Sequence, residues 1–432
     1  MSANLKHKLI ELFNSYENSL NGESKTQEFL DRKEAINKFE AIGFPTLKHE
    51  DWKYTNVAFI NKTDFLVNPK LGAIPNSILK EILIPNLEVD LIVMINGNYS
   101  DIHSKIISKN IEIKSINSIE SNEEKNKFNT IDFDNAFVLI NKAFHKDGIF
   151  IKTVKNQKSK RPIHILNISK SNDTILTNTR NLIIAEDNSD LKIIYSHYAL
   201  DNTKCLNINV NEIRCGKNSK VEFNNIQNDT ENSSQVNYSD IIQERDSVFT
   251  DNTLTINGKF IRNDLKTVLN GENSSSYYNG LYFINKKNHL DNHTFVNHKM
   301  PNCTSNEVYK GIIDERGKVV FNGKVLVSKD AQRTNAAQSN KNIVLTDSAS
   351  INTKPELEIY ADDVKCSHGT TTGKLDEEAL FYLTQRGIDK DYAKAMLMFT
   401  FVYEVIDRLT IDELKKYIEE KIESKLLNKS IK

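Results

Sequence analysis

The chain of 432 residues carries 57 Lys and Arg against 58 Asp and Glu, which leaves a formal net charge of −1. A balance of this kind creates no long-range field that would gather phosphate backbones or anionic lipid, so nucleic acid is not an expected partner. Hydrophobic residues make up 38% of the chain, and no apolar run approaches the roughly 20 residues that a membrane-spanning helix needs. We therefore expect a soluble protein with no membrane partner, built from two or three structural parts.

Two features indicate the cytoplasm. Lys6, Lys8 and Glu11 interrupt the apolar residues near the N-terminus, so we expect no secretory signal there. The cysteines are spread along the chain without a C-x-x-C pair, and a chain of this size needs no disulfide staples, which favours a reducing compartment. They are Cys205, Cys215, Cys303 and Cys366.

The first part, residues 1–90, reads as a helical domain. Apolar residues recur there at three-to-four spacing, as in Leu5, Leu9 and Phe13, which is typical of amphipathic helices. Residues 48–55 are polar overall but hold Trp52, the single tryptophan of the chain. Because a large indole ring normally finds a packing site, we expect this segment to dock the helices on the rest of the protein.

The second part, residues 91–370, reads as a long series of short strands rich in Val, Ile and Phe, with almost no helical periodicity. About 270 residues of such strands exceed one sandwich or barrel, whereas a β-solenoid grows by adding rungs. The sequence therefore predicts a parallel β-helix core, although clear internal repeats are lacking. Five Asn-Gly steps supply residues that tolerate positive φ and predict tight turns between strands. They begin at Asn96, Asn257, Asn270, Asn279 and Asn322.

The third part, residues 371–432, returns to helices. We predict one from Asp376 to Arg386, ended by Gly387, one from Asp389 to about Leu409, and a last one from Thr410 to about Leu427. The middle helix is apolar nearly all round, because two stripes run along it. One stripe is Tyr392, Met396, Phe399, Tyr403 and Ile406, and the other is Leu397, Met398, Phe401, Val405 and Leu409. The second stripe either completes a self-contained helical subdomain or binds a separate subunit.

Cys366 and His368 are the residues most suggestive of metal chemistry. They lie two apart in an expected strand, so both side chains point to one face, about 7 Å apart along the chain. Thiolate and imidazole both bind iron or zinc, but a stable site needs three or four ligands. From these residues alone, the pair is either half of a metal site or a buried free cysteine beside a hydrogen-bonded histidine.

Other candidate sites are weaker. His289, His293 and His298 would suit a metal only on a helix, and their strand-like setting separates the first two by about 13 Å and turns the third to the opposite face. Phosphate-binding loops and hydrolase motifs are absent from the sequence. One alternative function is a β-helix enzyme acting on polysaccharide, and another is a homodimeric structural protein. Candidate carboxylates for the enzyme are Asp291, Asp314 and Asp330.

The segment from Leu357 to Gly369, which contains Cys366-Ser367-His368, and its continuation from Leu375 to Ile388 resemble the signature of the SufB/SufD family. This family provides scaffold subunits of the SUF machinery for iron-sulfur cluster assembly. Shorter similar stretches, such as residues 52–55 and 320–324, extend the resemblance over nearly the whole chain. Cys-Ser-His-Gly followed by an acidic helix start is more similar to the SufD branch than to the SufB branch.

The resemblance implies a right-handed parallel β-helix between helical N- and C-terminal domains, in a subunit that is not itself an enzyme. It implies a heterodimer with a SufB-like paralogue through the β-helix ends, a possible homodimer in isolation, and a SufC-like ATPase on the C-terminal helices. It also implies a transient iron-sulfur cluster shared with the partner near His368 and Cys366, and no permanently bound cofactor. The residues expected to contact partners are Phe381, Tyr382, Met396, Met398, Phe399, Phe401 and Tyr403.

Overall fold

A computed structural model describes residues 4–20, 26–70, 74–125, 127–128, 130–131 and 135–430. The helices are α1 Leu5–Ser19, α2 Gln27–Ile42, α3 Ala58–Lys62, α4 Asn76–Ile82, α5 Asn122–Lys125, α6 Ala136–Phe144, α7 Glu377–Gln385, α8 Lys390–Ile406 and α9 Asp412–Ser430. Among the described residues, no helix is both long enough and apolar enough to cross a membrane.

The strands follow one another through the middle of the chain. They are β1 Leu66–Val67, β2 Asp90–Ile95, β3 Asn98–Tyr99, β4 Ile111–Ser115, β5 Ile149–Thr153, β6 Ile163–Ser169, β7 Ile175–Ala185, β8 Asp190–Ala199, β9 Cys205–Cys215, β10 Lys220–Asn228, β11 Ser233–Gln243, β12 Val248–Asn257, β13 Phe260–Leu269, β14 Ser275–Ile284, β15 His289–His298, β16 Thr304–Ile313, β17 Lys318–Val327, β18 Thr334–Val344, β19 Ser350–Ile359 and β20 Val364–Gly373.

Strands that are two apart in sequence pair in parallel, which makes the core a two-sheet β-solenoid. The odd-numbered strands from β5 to β19 form one sheet and the even-numbered strands from β6 to β20 form the other. Each sheet is extended at its first end, where β4 pairs antiparallel with β5, and β2 pairs with β6. The largest apolar cluster takes side chains from both sheets, such as Ile213 of β9 and Phe223 of β10. The prediction of a parallel β-helix core between helical ends is confirmed.

Ladders of asparagine fix the register from one rung to the next. On the odd sheet, the Asn209 amide donates to Asn237 at 2.8 Å, Asn237 to Asn263 at 2.9 Å, and Asn263 to Asn292 at 2.8 Å. These side chains are buried and cannot form hydrogen bonds with water. Each amide instead donates a hydrogen bond to the asparagine of the next rung. A strand slipped by one residue would break the whole ladder.

The Asn-Gly predictions are only partly correct. Asn96 and Gly97 form the positive-φ turn between β2 and β3, and Asn257 and Asn270 lie where strands end. Turns at Asn279 and Asn322 are wrong, because both residues lie inside strands, β14 and β17.

Two glycines inside strands, Gly280 and Gly311, make room for rings in the solenoid interior. A Cβ on Gly280 would lie 2.0 Å from the ring of Tyr309, and one on Gly311 would lie 1.7 Å from the ring of Tyr282. Gly280 pairs with Tyr309 and Tyr282 pairs with Gly311 in the register of β14 and β16. These glycines are therefore required by packing between neighbouring strands.

The N-terminal helices α1, α2 and α3 pack on the odd sheet. Their buried residues form one cluster with Trp52, with α6 and with strand residues such as Leu176 and Phe260. The helix α6 lies within the region that the sequence analysis predicts as strands, so this helix was not predicted. It belongs to this N-terminal cluster through Phe137 and Ile140. The division into parts at residues 90 and 370 stays a prediction.

The C-terminal helices α8 and α9 pack on the even sheet. Buried residues of α8 and α9, such as Val402 and Ile418, form one cluster with Leu281 and Ile312 of the solenoid. The Arg408 guanidinium extends this contact by donating to Asn279 at 3.1 Å and to Asn306 at 3.3 Å. The three predicted C-terminal helices are confirmed, and Gly387 follows α7 with a φ of +83°.

Candidate functional site

The predicted pair Cys366 and His368 lies on β20, at the last rung of the solenoid. The strand β20 pairs with β18, and β19 pairs with β17, as the final members of their sheets. Cys366 is half-buried and His368 is exposed. The strand prediction for this pair is therefore correct, and the end of the solenoid presents the imidazole to solvent.

Both side chains belong to the face of β20 that continues the solenoid interior. Val364 and Cys366 pack against the interior apolar cluster, and His368 has the same parity along the strand. Burial raises the pKa of the Cys366 thiol above its ordinary value. The thiol is therefore mostly protonated near neutral pH, and it becomes a strong ligand only when a cation displaces its proton.

A column of polar residues leads through the interior to His368. Asp251, Tyr278, Glu307, Gln338 and His368 are in register on five consecutive even-numbered strands. The Gln338 amide donates to Glu307 at 2.6 Å. Sequence reasoning missed this column, because the only signal was a polar residue at one inward position of each strand.

The two carboxyl groups of the column are in unusual environments. Burial raises the pKa of both Asp251 and Glu307 to about 7, since an apolar interior disfavours the charged form. Each side chain is almost fully shielded from solvent. The interior behind His368 therefore contains two carboxyl groups that hold protons in the neutral range.

Cys366 and His368 do not complete a metal site with the other residues that the structure describes. Among the described residues, no third histidine, cysteine or carboxylate joins them in a group with metal-binding spacing. Structural metal sites have four ligands, and catalytic ones have at least three. Within the described part of the chain, the pair therefore offers two ligands at most.

The three histidines of β15 are separated as expected for a strand. His289 stacks on Phe260 and contacts the Thr55 hydroxyl at 3.0 Å. His293 pairs with Asp291 at 2.9 Å, and His298 lies on the opposite face. They form no common site.

The carboxylates considered for a polysaccharide-active enzyme are also separated. Asp291 is buried in an ion pair with Arg262 on β13. Asp314 is buried after β16, and Asp330 is exposed after β17. They do not form a carboxylate pair along one groove.

The residues predicted to contact partners fall into two groups. Phe381 and Tyr382 on α7 are exposed, as are Met396 and Tyr403 on α8, with 64% of Phe381 and 38% of Met396 accessible. Phe399 and Phe401 are partly buried against the cluster beneath α8. Only 5% of Met398 is accessible, so the stripe containing Met398 covers the protein's own core.

We call the exposed group the C-terminal apolar surface. It borders a groove of about 900 Å³ between α7, α8 and the last rungs of the solenoid. Tyr392, which is half exposed, extends the surface along α8. Its residues are Phe381, Tyr382, Tyr392, Met396 and Tyr403.

Comparison with known families identifies the class of protein. The family model described as "SUF system FeS cluster assembly, SufBD core domain" matches residues 167–401, and "SufBD protein N-terminal region" matches residues 3–165. The first match alone covers more than half of the chain, and it coincides with most of the solenoid. The chain belongs to the SufBD family of the SUF system for iron-sulfur cluster assembly.

Individual relatives agree with this assignment. An iron-sulfur cluster assembly SufBD family protein of Synechocystis is 28% identical over 400 residues, which is 89% of this chain and 88% of that protein. The iron-sulfur cluster assembly protein SufD of Escherichia coli is 26% identical over 390 residues, or 89% and 90% of the two chains. SufD of Bacillus subtilis is 25% identical over 311 residues, or 68% and 67%. The predicted family is confirmed.

Proposed function

We propose that this chain is the SufD-type, non-catalytic scaffold subunit of a SUF complex, and that it pairs with a SufB-like paralogue through the open end of its solenoid. The observation that carries the proposal is the exposure of His368 on a terminal strand. A nascent iron-sulfur cluster is the cargo of this interface, and His368, with Cys366 second, contributes ligands to it.

The geometry of the terminal rung supports the pairing. A strand at the end of a parallel sheet leaves N–H and C=O groups along its outer edge, and another chain can add a strand to them. The described residues on that side of β19 and β20 supply no further strand. Exposed Tyr360 and half-buried Leu357 lie on this last rung, so a partner would bury apolar area as well.

The ligand set supports a shared cluster. Iron-sulfur clusters are held mainly by thiolates, and imidazole replaces some of them in certain sites. The interface would bring the missing ligands beside His368, which is already accessible. A site completed only by association can form and release a cluster as the two subunits move.

Replacing His368 by alanine tests the ligand role. We expect the complex with the paralogue to assemble normally, because the backbone edge is unchanged, and cluster loading on the reconstituted complex to fall at least several-fold. Loading is measured as iron and sulfide per complex together with the visible absorption of the cluster. His7, which is exposed on α1, gives the control variant His7→Ala, which should load like the wild type.

Undiminished loading in an intact His368→Ala complex would exclude the ligand role. Native mass of the wild-type complex tests the pairing separately. A heterodimer with the paralogue supports the proposal, whereas a homodimer that persists with excess paralogue contradicts it.

We also propose that the C-terminal apolar surface binds the SufC-like ATPase of the complex. Exposed aromatic and methionine side chains adapt to a partner and are enriched at interfaces. An ATPase that dimerises on binding nucleotide would then pull on α7 and α8 and, through them, on the last rungs.

Replacing Met396 by aspartate is expected to abolish capture of the ATPase, because it places a charge in the middle of the surface. The measurement is co-purification with a tagged ATPase, supported by calorimetry. The control is Leu47→Asp, since Leu47 is 50% exposed in the N-terminal part, and it should bind normally. Equal capture by both variants would reject the docking surface.

A further inference from the structure

A second group of metal-ligating side chains lies far along the chain from the open end, inside the early rungs. His197 of β8, Cys205 at the start of β9 and Asp229 just after β10 bring their ligand atoms within 4.8 Å of one another. All three are almost fully buried. They come from three successive segments of the solenoid wall, so the fold itself brings them together.

The surroundings of the group hold each side chain in a fixed orientation. His197 uses Nδ1 to contact the Asp229 carboxylate, while its Nε2 lies 2.9 Å from the hydroxyl of Ser169. The other carboxylate oxygen of Asp229 accepts from the backbone of Ala199 at 2.8 Å. Hydrogen bonds of this kind on the outer side of the ligands are typical of metal sites.

Cys205 is held in a comparable way. The Asn207 amide donates to its sulfur at 3.4 Å, and the thiol lies 3.5 Å from the Ser233 hydroxyl. Burial and the nearby Asp229 carboxylate raise the pKa of this thiol to about 11, although the amide donation opposes the shift, so the thiol loses its proton only when a cation takes its place. Cys205 also packs with Ile175 and Ala199, but of the two cysteines of β9 it is the one with hydrogen-bond partners at its sulfur, since Cys215 lies in the apolar interior cluster.

The charges of the group match a divalent cation. A thiolate, a carboxylate and a neutral imidazole together carry a charge of −2, so one dication leaves the buried site neutral. Binding displaces the thiol proton to solvent, while the imidazole stays neutral and keeps its one proton on the ring nitrogen that does not bind the cation. Neutrality matters here because an uncompensated charge in this interior is costly.

We propose that His197, Cys205 and Asp229 form a binding site for one thiophilic divalent cation of the Zn²⁺ class. Nitrogen, sulfur and oxygen donors in one set suit Zn²⁺, and hard cations such as Mg²⁺ and Ca²⁺ bind through oxygen alone. The three side chains supply three of the four ligands of a zinc ion, and a water molecule enclosed with the cation as the rungs fold around it would supply the fourth. The cation would then fasten β8, β9 and the β10–β11 turn together.

The test is the zinc content of the full chain produced in zinc-supplemented medium and dialysed against EDTA. We expect about one zinc per chain for the wild type and at least a five-fold lower content for Cys205→Ser. Refolding the chain with Co²⁺ should give a thiolate-to-cobalt charge-transfer band in the near ultraviolet, which Cys205→Ser removes.

Two matched variants separate this site from other cysteines. Cys215→Ser changes a buried cysteine on the same strand, and Cys366→Ser changes the one at the open end; both should keep the zinc and the cobalt band. Asp229→Asn preserves side-chain size and provides a second test if Cys205→Ser fails to fold. A zinc-free wild type, or equal zinc in wild type and Asp229→Asn, would overturn the proposal.

Discussion

Replacing Arg262 by methionine is expected to lower the free energy of unfolding by roughly 3–5 kcal/mol, because it leaves a buried carboxylate without its partner. Arg262 is 1% exposed, and its guanidinium pairs with Asp264 at 2.7 Å and with Asp291, whose side chain is fully buried. Methionine keeps much of the apolar volume, so the loss of charge compensation dominates the effect.

The same guanidinium holds the N-terminal part on the solenoid. It lies 4.2 Å from the centroid of the Trp52 ring and donates to the backbone oxygen of Asp51 at 2.8 Å. The Thr55 hydroxyl donates to Asp291 from the same segment. The tryptophan segment thus docks the helices as predicted, and Arg262 is the centre of that contact. In the variant, we expect this docking to weaken as well as the core.

The measurement is guanidinium unfolding at pH 7, followed by circular dichroism and by tryptophan fluorescence. Lys354→Met is the control, since Lys354 pairs with Glu50 and Glu356 on the exposed side of the same region. Exposed pairs contribute about 0–1 kcal/mol. Similar losses in the two variants would contradict the expectation, and Asp291→Asn added to Arg262→Met should restore part of the stability.

Acid stability should change in the same variant. Burial alone would raise the pKa of Asp291, but Arg262 and His293 outweigh it and hold the pKa well below its usual range. A lowered pKa in the folded state contributes stability that is present above the unfolded pKa and is lost as the pH falls below about 4. Arg262→Met should therefore lose less stability than the wild type between pH 5 and pH 3.

Much of this architecture follows from local patterns. Short β-rich runs over a stretch too long for one sandwich indicate a solenoid, and apolar spacing with Gly387 fixes the C-terminal helices. Contacts between rungs are different, because they join residues about 30 positions apart. Asn279-Gly280 reads locally as a turn, yet Gly280 lies inside a strand because the ring of Tyr309 needs its space.

Of the candidate sites, one could be predicted from local sequence spacing and the other depends on contacts between rungs. Cys366 and His368 are close in sequence and share a strand face, so spacing alone brings them together. His197, Cys205 and Asp229 come from three segments, and their meeting depends on the register of β8, β9 and β10. The burial of Met398 also depends on distant elements, because the stripe of α8 that is buried is the one that packs against α9 and the even sheet.

The interior carboxyl groups should make stability fall as the pH rises. Asp251 and Glu307 have folded-state pKa values of about 7 because of burial, whereas the unfolded chain has ordinary values near 4. The folded state therefore binds more protons between about pH 4 and pH 7, and the free energy of unfolding decreases over that window. Between pH 4 and pH 8, each carboxyl group should lower the free energy of unfolding by on the order of 2–4 kcal/mol.

Replacing Glu307 by glutamine, or Asp251 by asparagine, should remove this cost while keeping side-chain size. The difference in unfolding free energy between each variant and the wild type should therefore shift in favour of the variant by about 2–4 kcal/mol from pH 4 to pH 8. Urea unfolding at pH 4, 6 and 8 measures the gain, and Asp347→Asn, at a side chain 96% exposed, is the control with none. A constant difference across this range would mean that the interior carboxyl groups do not titrate there.

The two carboxyl groups are also coupled, since ionised Glu307 further raises the pKa of Asp251. The double variant should therefore gain less unfolding free energy than the sum of the gains of the two single variants.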